Sequence, residues 1–350
     1  MRKPTLHDVA RAAGVSYSTA DRVLNARGGV APKSADRVRD AIATLGYERD
    51  LHAANLSRGR NYNFRFLLPK DDHSFFRALR AAVDREQDLR RADRILISVT
   101  EIPALDADAL AHALDAEGSA CDCLAVVATE APRITAAITA LRARGIAVVT
   151  LVSDAAPEAR AAYVGIDNVM AGRTAGRLLR LAHATRQGCI LPVLGSVSAR
   201  DHRDRLDGMN AVLAGETPAL RVLPALSVDD RPDIMRARVT QALADHPDIT
   251  GIYSIGAGNR GLIEVLEARQ TRPLVVMHEL TPVSRAGLER GLVDAVIDQK
   301  PAQEVALAID VMKAIADGRD WHDPARDIIP TIFLKDNLPA PADNPQISAS

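Results

Sequence analysis

From Phe64 onward the chain alternates short runs of Val, Ile and Leu with helical patterns, and no other feature limits the fold as much. The strand candidates are FRFLLP, RILISVT, CLAVVAT, AVVTLVS, AYVGID, CILPVLG, RVLPAL, GIYSIG, LVVMHE, DAVIDQ and DIIPTIFL. Helical periodicity fills the gaps: Phe75–Leu89, Asp106–Glu117, Arg133–Arg144, Met170–Ala182, Arg205–Leu213, Asp233–Leu243, Leu262–Arg269, Val283–Arg290 and Glu304–Asp317. Strands apolar on both faces and joined by helices require a parallel sheet covered on both sides. Eleven candidates suit two such units, so the expected fold is two doubly wound parallel-sheet subdomains behind a different N-terminal domain.

The first sixty residues hold no strand candidate, only three helical patterns and a polar stretch. They carry eleven Lys and Arg against six Asp and Glu, roughly +5 in a chain whose net charge is -1. A basic arm on a neutral-to-acidic body suits a polyanionic partner. The hydrophobic fraction of 47% rules out a disordered chain. Cys121, Cys123 and Cys189 sit in or beside apolar runs, which predicts buried thiols in a reducing compartment. The Cys-Asp-Cys pair lacks a second ligand pair at zinc spacing, so no metal is expected. No apolar segment follows MRKP and no run approaches a membrane span, which predicts a cytoplasmic protein without membrane contact.

The stretch DVARAAGVSYSTADRVLN sets a turn glycine between two amphipathic runs. Thr5 is placed to cap the first helix, with Asp8 in capping-box position. Gly14 supplies a left-handed turn and Ser16 the next cap. With Ala20, Val23 and Leu24 inward, the second helix leaves Tyr17, Ser18, Asp21 and Arg22 outward at its start. Those side chains suit base edges in a major groove. A third helix begins at Pro32 and stops at Gly46. Periodicity alone leaves two readings open, a DNA-reading helix-turn-helix and an ordinary helix pair.

The segment PTLHDVARAAGVSYSTADRVLNARGGVAPKSADRVRDAIATLGYERDLHAANLSRGR resembles the headpiece of lactose-repressor (LacI) family transcription regulators. It follows T-x-x-D-V-A-x-x-A-G-V-S-x-x-T-x-x-R-V-L-N and includes the later L-G-Y. The resemblance implies that Tyr17, Ser18 and Arg22 read bases, while Ser16, Thr19 and Asn25 lie near phosphates. Thr5 is grouped with the DNA-binding residues, and Leu56 falls where the family's hinge helix wedges a leucine into the minor groove. Arg49-Asp50 replaces the family's Pro-Asn, and Ala31 stands where Ser or Thr is common.

The two doubly wound units resemble type I periplasmic binding proteins, whose chain crosses between lobes three times and binds a small polar ligand in the cleft. The expected domains are a headpiece over 1–47, a hinge over 48–61, a ligand-binding and dimerisation body over 62–340, and a flexible tail over 341–350. Within the body, one lobe is expected at about 62–161 and 292–325 and the other at about 162–291 and 326–340. By resemblance, PKDDHSFF offers Asp72, His73 and Phe75 to a ligand, and ARDHRDRLDGM places Arg205 where a guanidinium binds ligand oxygens. Glu279 and Gln299 follow as paired acceptors for a sugar or polyol, and Ser153 and Asp154 follow the fourth strand. In YVGIDNVMAGRTAG, Asp167 and Asn168 are expected to cap a helix and brace the cleft.

A competing pattern is the GxGxxG of Gly256, Gly258 and Gly261, with Glu279 about eighteen residues on, which is the dinucleotide-binding arrangement of an NAD-binding sensor or dehydrogenase. It lies deep in the chain, and His73, His202 and His278 read as scattered on loops, with no hydride-transfer constellation. The sequence therefore reads as a non-enzymatic regulator without a cofactor or catalytic residue. Its expected partners are a pseudo-palindromic operator, a sugar or polyol, and a second copy in a homodimer or tetramer. A nucleoid-type architectural binder is the reading from another class.

Overall fold

A computed structural model describes residues 4–24, 28–47, 61–70, 74–118, 120–184, 187–214, 220–256, 258–319, 321 and 328–340. Asn25, Leu56, Asp72, His73, the Arg49-Asp50 pair, all of the expected hinge but Asn61, and the tail lie outside these residues. The chain divides into two compact units, Met1–Arg60 and Asn61–Ser350.

The first unit is α1 (Leu6–Ala13), α2 (Tyr17–Leu24) and α3 (Pro32–Leu45). Their sequence signals act as expected. The Thr5 side chain accepts from the Asp8 backbone while Asp8 accepts from the Thr5 N–H at 2.9 Å, a reciprocal cap. Gly14 ends α1 with φ +60 and Gly46 ends α3 with φ +58. Ala31 gives α3 no side-chain cap; Pro32 in the first turn needs no N–H partner there. Val9, Ala10, Ala13, Ala20, Val38 and Ala41 form the core.

The second unit contains two sheets. The first is β1 (Tyr62–Lys70), β2 (Ile95–Pro103), β3 (Cys123–Val126), β4 (Ala147–Leu151) and β5 (Ala162–Val164), in the order β2-β1-β3-β4-β5 and parallel throughout. It is interleaved with α4 (Ser74–Leu89), α5 (Ala107–Asp115) and α6 (Pro132–Ala143). The chain then passes through α7 (Asn168–Ala182), β6 (Gly188–Leu194), α8 (Arg200–Leu213), β7 (Leu220–Val222), β8 (Leu226–Ser227), α9 (Pro232–Asp245), β9 (Ile249–Ser254), α10 (Asn259–Glu267), β10 (Leu274–His278), α11 (Pro282–Glu289) and β11 (Ala295–Asp298). It returns to the first sheet as α12 (Pro301–Ala316) and ends with β12 (Thr331–Phe333). The second sheet runs β12-β11-β10-β9-β6-β7, with β8 also pairing with β6.

Every strand candidate contains a strand; β3, β4, β5, β6, β9 and β10 are buried on both faces, whereas β2, β7 and β12 are partly exposed at the sheet edges. Three expectations need correction. RVLPAL holds two short strands, β7 and β8, since Pro224 interrupts the ladder. β12 runs antiparallel to β11. The lobe boundaries also shift: β5 pairs with β4, so the first crossing follows Val164, and β11 pairs with β10, so the second follows Asp298 and not residue 291.

The first lobe's order, and the β7-β6-β9-β10-β11 part of the second, are the same doubly wound pattern. In each lobe the order reverses beside the first strand, between β1 and β3 and between β6 and β9. Loops leaving those strands diverge to opposite faces and open a crevice at the strand C-termini. One buried cluster links the lobes from Phe64 and Phe66 through Val305 and Ile309 to Tyr253 and Ile297.

Candidate functional site

In the headpiece, the N-terminal end of α2 is exposed. The Ser16 hydroxyl accepts from the Thr19 N–H at 3.1 Å and lies 2.9 Å from the Ser18 hydroxyl. Tyr17 is 47% exposed, and its ring rests against His7 of α1 with centroids 4.5 Å apart. Arg22 Nε donates to the Gly28 carbonyl at 3.2 Å, which aims the guanidinium from the same helix. Tyr17, Ser18 and Arg22 therefore share one solvent-facing edge, the chemistry needed to meet base edges and phosphates. The support from His7 and Gly28 carries no pattern in the sequence.

In the second unit, a cavity of about 260 Å³ lies at the strand C-termini of both lobes. Phe75 and Phe76 reach it from the start of α4, with ring centroids 5.3 Å apart in an edge-to-face pair. Asp201, His202 and Arg205 reach it from α8, which begins at Arg200, a turn earlier than its apolar period indicated. Arg205 is 2% exposed, and its guanidinium is held by three acceptors: Asn168 Oδ1 at 2.8 Å, the Ile255 carbonyl at 3.1 Å and Gln299 Oε1 at 3.3 Å. Asp201 Oδ2 lies 4.0 Å from the same guanidinium, a turn away on α8. Gln299 in turn donates from Nε2 to Glu279 Oε1 at 2.7 Å.

Two buried carboxyls lie at and behind the cavity: Glu279 lines it, and Glu304 is buried in the core without lining it. Glu279 Oε2 has no hydrogen-bond partner among the described residues, and neither does either oxygen of the fully buried Glu304. Burial, followed by the charge of Asp298, pushes the Glu279 carboxyl well above its ordinary range. Burial, followed by the Glu279 charge, does the same to Glu304. His278 is fully buried, with Nε2 2.7 Å from the Tyr253 hydroxyl and Nδ1 without a hydrogen-bond partner among the described residues. Burial and the nearby Arg205 charge hold its imidazole neutral, well below the ordinary histidine range. The cavity thus sets a buried guanidinium beside Glu279, His278 and Asp201, a polar lining that suits a small ligand rich in hydroxyl groups.

Residues 64–320, well over half of the chain, match the family model of a periplasmic binding protein domain, and residues 5–50 match that of bacterial regulatory proteins of the lacI family. The chain belongs to the periplasmic binding protein domain family and carries a lacI-family headpiece. It is 31% identical over 86 residues to the HTH-type transcriptional regulator DegA of Bacillus subtilis, covering 25% of this chain and 26% of that protein. Matches of this kind span about a fifth to a quarter of the curated relatives' length. Among solved structures it resembles an ABC transporter solute binding protein from Burkholderia graminis in complex with D-arabinose, at a TM-score of 0.73 and 22% identity over 80% of this chain and 98% of that one. Another, from Agrobacterium vitis and bound with alpha-D-tagatopyranose, has a TM-score of 0.72 and 18% identity over 80% of this chain and 97% of that one. These two likenesses speak for the fold.

In this periplasmic-binding-protein body the structure brings Phe75, Arg205, Glu279 and Gln299 to one cavity and places Ser153 on a smaller one beside it. Asp154 lines neither cavity; it forms a two-point ion pair with Arg160 at 2.7 and 3.0 Å and also accepts from the Ala155 N–H. Asp167 caps α7 and Asn168 braces Arg205, the supporting roles expected of them. His202 and His278 are not on solvated loops: one is buried in the first turn of α8, the other ends β10. Asp201, His202, Asp230 and Phe76 are cavity residues that the sequence reading left out. Only the doubled aromatic at Phe75-Phe76 signalled one of them.

The GxGxxG glycines are accounted for by packing. A Cβ on Gly261 would lie 1.9 Å from the Pro232 carbonyl, and one on Gly256 2.7 Å from Asp230 and 2.8 Å from the Gly195 N–H. The close approach those glycines permit is to the turn before α9, so the dinucleotide reading gains no support. The three cysteines are buried thiols, with Cys121 pushed up to about 11 by burial and the Glu117 charge. Among the described residues no helix is long and apolar enough to cross a membrane.

Proposed function

We propose that the protein is a sequence-specific DNA-binding transcription regulator whose operator affinity responds to a small sugar or polyol bound between the two lobes. The observation that carries this reading is one chain holding both an exposed α2 edge of lacI-family type and a buried cleft with Arg205, Gln299 and Glu279 in series. Tyr17, Ser18 and Arg22 are the base-reading candidates, with Ser16, Thr19, Asn25, Thr5 and Leu56 as further DNA contacts. Asp72, His73, Phe75, Arg205, Glu279 and Gln299 are the ligand candidates, with Ser153 at the margin. Sugars bound to the two solved relatives support the ligand class.

Two headpieces reading two half-sites require a homodimer on a pseudo-palindromic operator. Ligand binding favours one lobe angle, and the angle changes the spacing and ordering of the two hinge segments. Paired substitutions test the division of labour. Arg22→Ala is expected to weaken binding to operator DNA at least tenfold with cleft ligand affinity unchanged. Arg205→Ala is expected to keep DNA binding and abolish the response to ligand. A selective, undiminished footprint from the Arg22 variant would contradict the assignment.

A further inference from the structure

Between α2 and α3 the chain passes through Gly28 and Gly29, both in the left-handed region with φ +65 and +71. Glycine adopts that conformation freely and asparagine tolerates it, whereas most other residues do not. Arg22, exposed on α2, lies against this stretch. Its Nε donates to the Gly28 carbonyl at 3.2 Å, the one hydrogen bond the guanidinium makes among the described residues. Of the five guanidinium N–H groups, that leaves the four on Nη1 and Nη2. Their end-on fork matches the O6 and N7 acceptors of a guanine in the major groove. The two glycines differ in what a side chain would meet. A Cβ on Gly28 would find nothing within 4 Å, but one on Gly29 would lie 2.9 Å from Arg22 Nη2 and 3.6 Å from its Cζ. The guanidinium thus occupies the space that a side chain at Gly29 would fill. Because the obstructed group is the far end of a flexible side chain, a Cβ there turns the guanidinium aside and leaves the helices in place.

We infer that Gly29 is a positioning residue for operator selectivity: its missing side chain lets Arg22 lie along the turn with Nε tied to the backbone and the Nη fork left to one base pair. This rests on the base-reading role proposed for Arg22. Gly28 contributes its carbonyl, which any residue at that place would supply. The specific demand for glycine in the Arg22 contact therefore falls on Gly29, which itself offers no side chain to DNA.

A double-mutant cycle on the full chain tests this, with binding measured at one fixed salt concentration to DNA selected from a random pool, to its single base-pair variants and to unselected DNA. Gly29→Asn keeps a residue that tolerates the left-handed backbone and adds the Cβ. It is expected to weaken the selected DNA tenfold or more, at the same base pair where Arg22→Ala loses discrimination, with unselected DNA bound as before. Gly46→Asn makes the same backbone demand at φ +58, with nothing within 4 Å of its Cβ, and is expected to stay within twofold of the native chain. The double variant Arg22→Ala/Gly29→Asn is expected to match Arg22→Ala within twofold. A residue acting through the fold, or through a DNA contact of its own, would instead add its loss to that of Arg22→Ala. Gly29→Ala serves if the asparagine variant does not fold. Native discrimination by the Gly29 variant, an equal loss from Gly46→Asn, or losses that add would overturn the inference and leave Arg22 as a base reader. If Arg22→Ala keeps full selectivity, the base-reading role falls and the inference with it.

Discussion

Arg205 shows how a single side chain is made ready for a guest. Its guanidinium is fixed by an amide oxygen, a backbone carbonyl and a second amide oxygen, one of them from the crossover residue Gln299. Lysine has the charge but not the planar fork, so Arg205→Lys is expected to weaken cleft ligand binding at least tenfold while the circular dichroism spectrum stays unchanged. Glu304 makes a different prediction. Its carboxyl keeps its proton in the folded state, because burial and the Glu279 charge oppose ionisation. In the unfolded chain it ionises near the ordinary glutamate value of about 4.3. Above that pH the unfolded state binds fewer protons than the folded one, so stability falls as pH rises towards the folded pKa. Glu304→Gln should remove this contribution, with a thermal midpoint that gains on the native chain as pH goes from 5 to 8. Equal pH profiles for the two would count against a proton held there. Glu279 and Asp298 act in the same direction in both proteins, and neutral His278 in the opposite one below about 6.5, so the difference between the two curves is the readout.

At the scale of elements, the pair α7 and α8 positions the site. Their backbones meet through glycine: a Cβ on Gly172 would lie 2.0 Å from the Arg205 carbonyl, and one on Gly208 2.2 Å from the Val169 carbonyl. Gly172→Ala must therefore move α8, and a cost of about 1–3 kcal/mol is expected for such overpacking. Calorimetry should show a lower Tm, and titration a weaker cleft ligand, since the displaced residue is Arg205 itself. An unchanged Tm would mean that the helices are not in backbone contact. The same pair shows what could be read in advance. The central strands were legible because burial on both faces leaves continuous apolar runs. The start of α8 was not, because Arg200, Asp201, His202, Arg203 and Asp204 supply no apolar period, even though Asp201 and His202 are buried against the cavity. Asp154 looked like a ligand residue by position in the chain, yet Arg160, six residues on, captures it. Such pairings depend on side-chain direction after a strand ends, which periodicity does not encode.

For the whole molecule, one doubly wound order used twice places two switch points in apposition, and the crossovers after Val164 and Asp298 supply Asn168 and Gln299 to the same guanidinium. Under the proposed function, a guanidinium bonded to residues of both crossovers would link cleft occupancy to lobe angle. Under the same proposal, the excess of basic residues in the first sixty would supply nonspecific attraction to DNA, and the exposed residues of α2 the selectivity. An architectural DNA binder would share the first property and lack both the second and any ligand response. The most direct test is therefore the affinity of the full chain for DNA selected from a random pool, measured at one fixed salt concentration against unselected DNA, with and without a sugar or polyol shown to bind the cleft. The account predicts a preference for selected DNA of a thousandfold or more, and a change of at least tenfold in that affinity when the cleft is filled. Equal binding to both DNAs, or an affinity indifferent to a saturating cleft ligand, would contradict it.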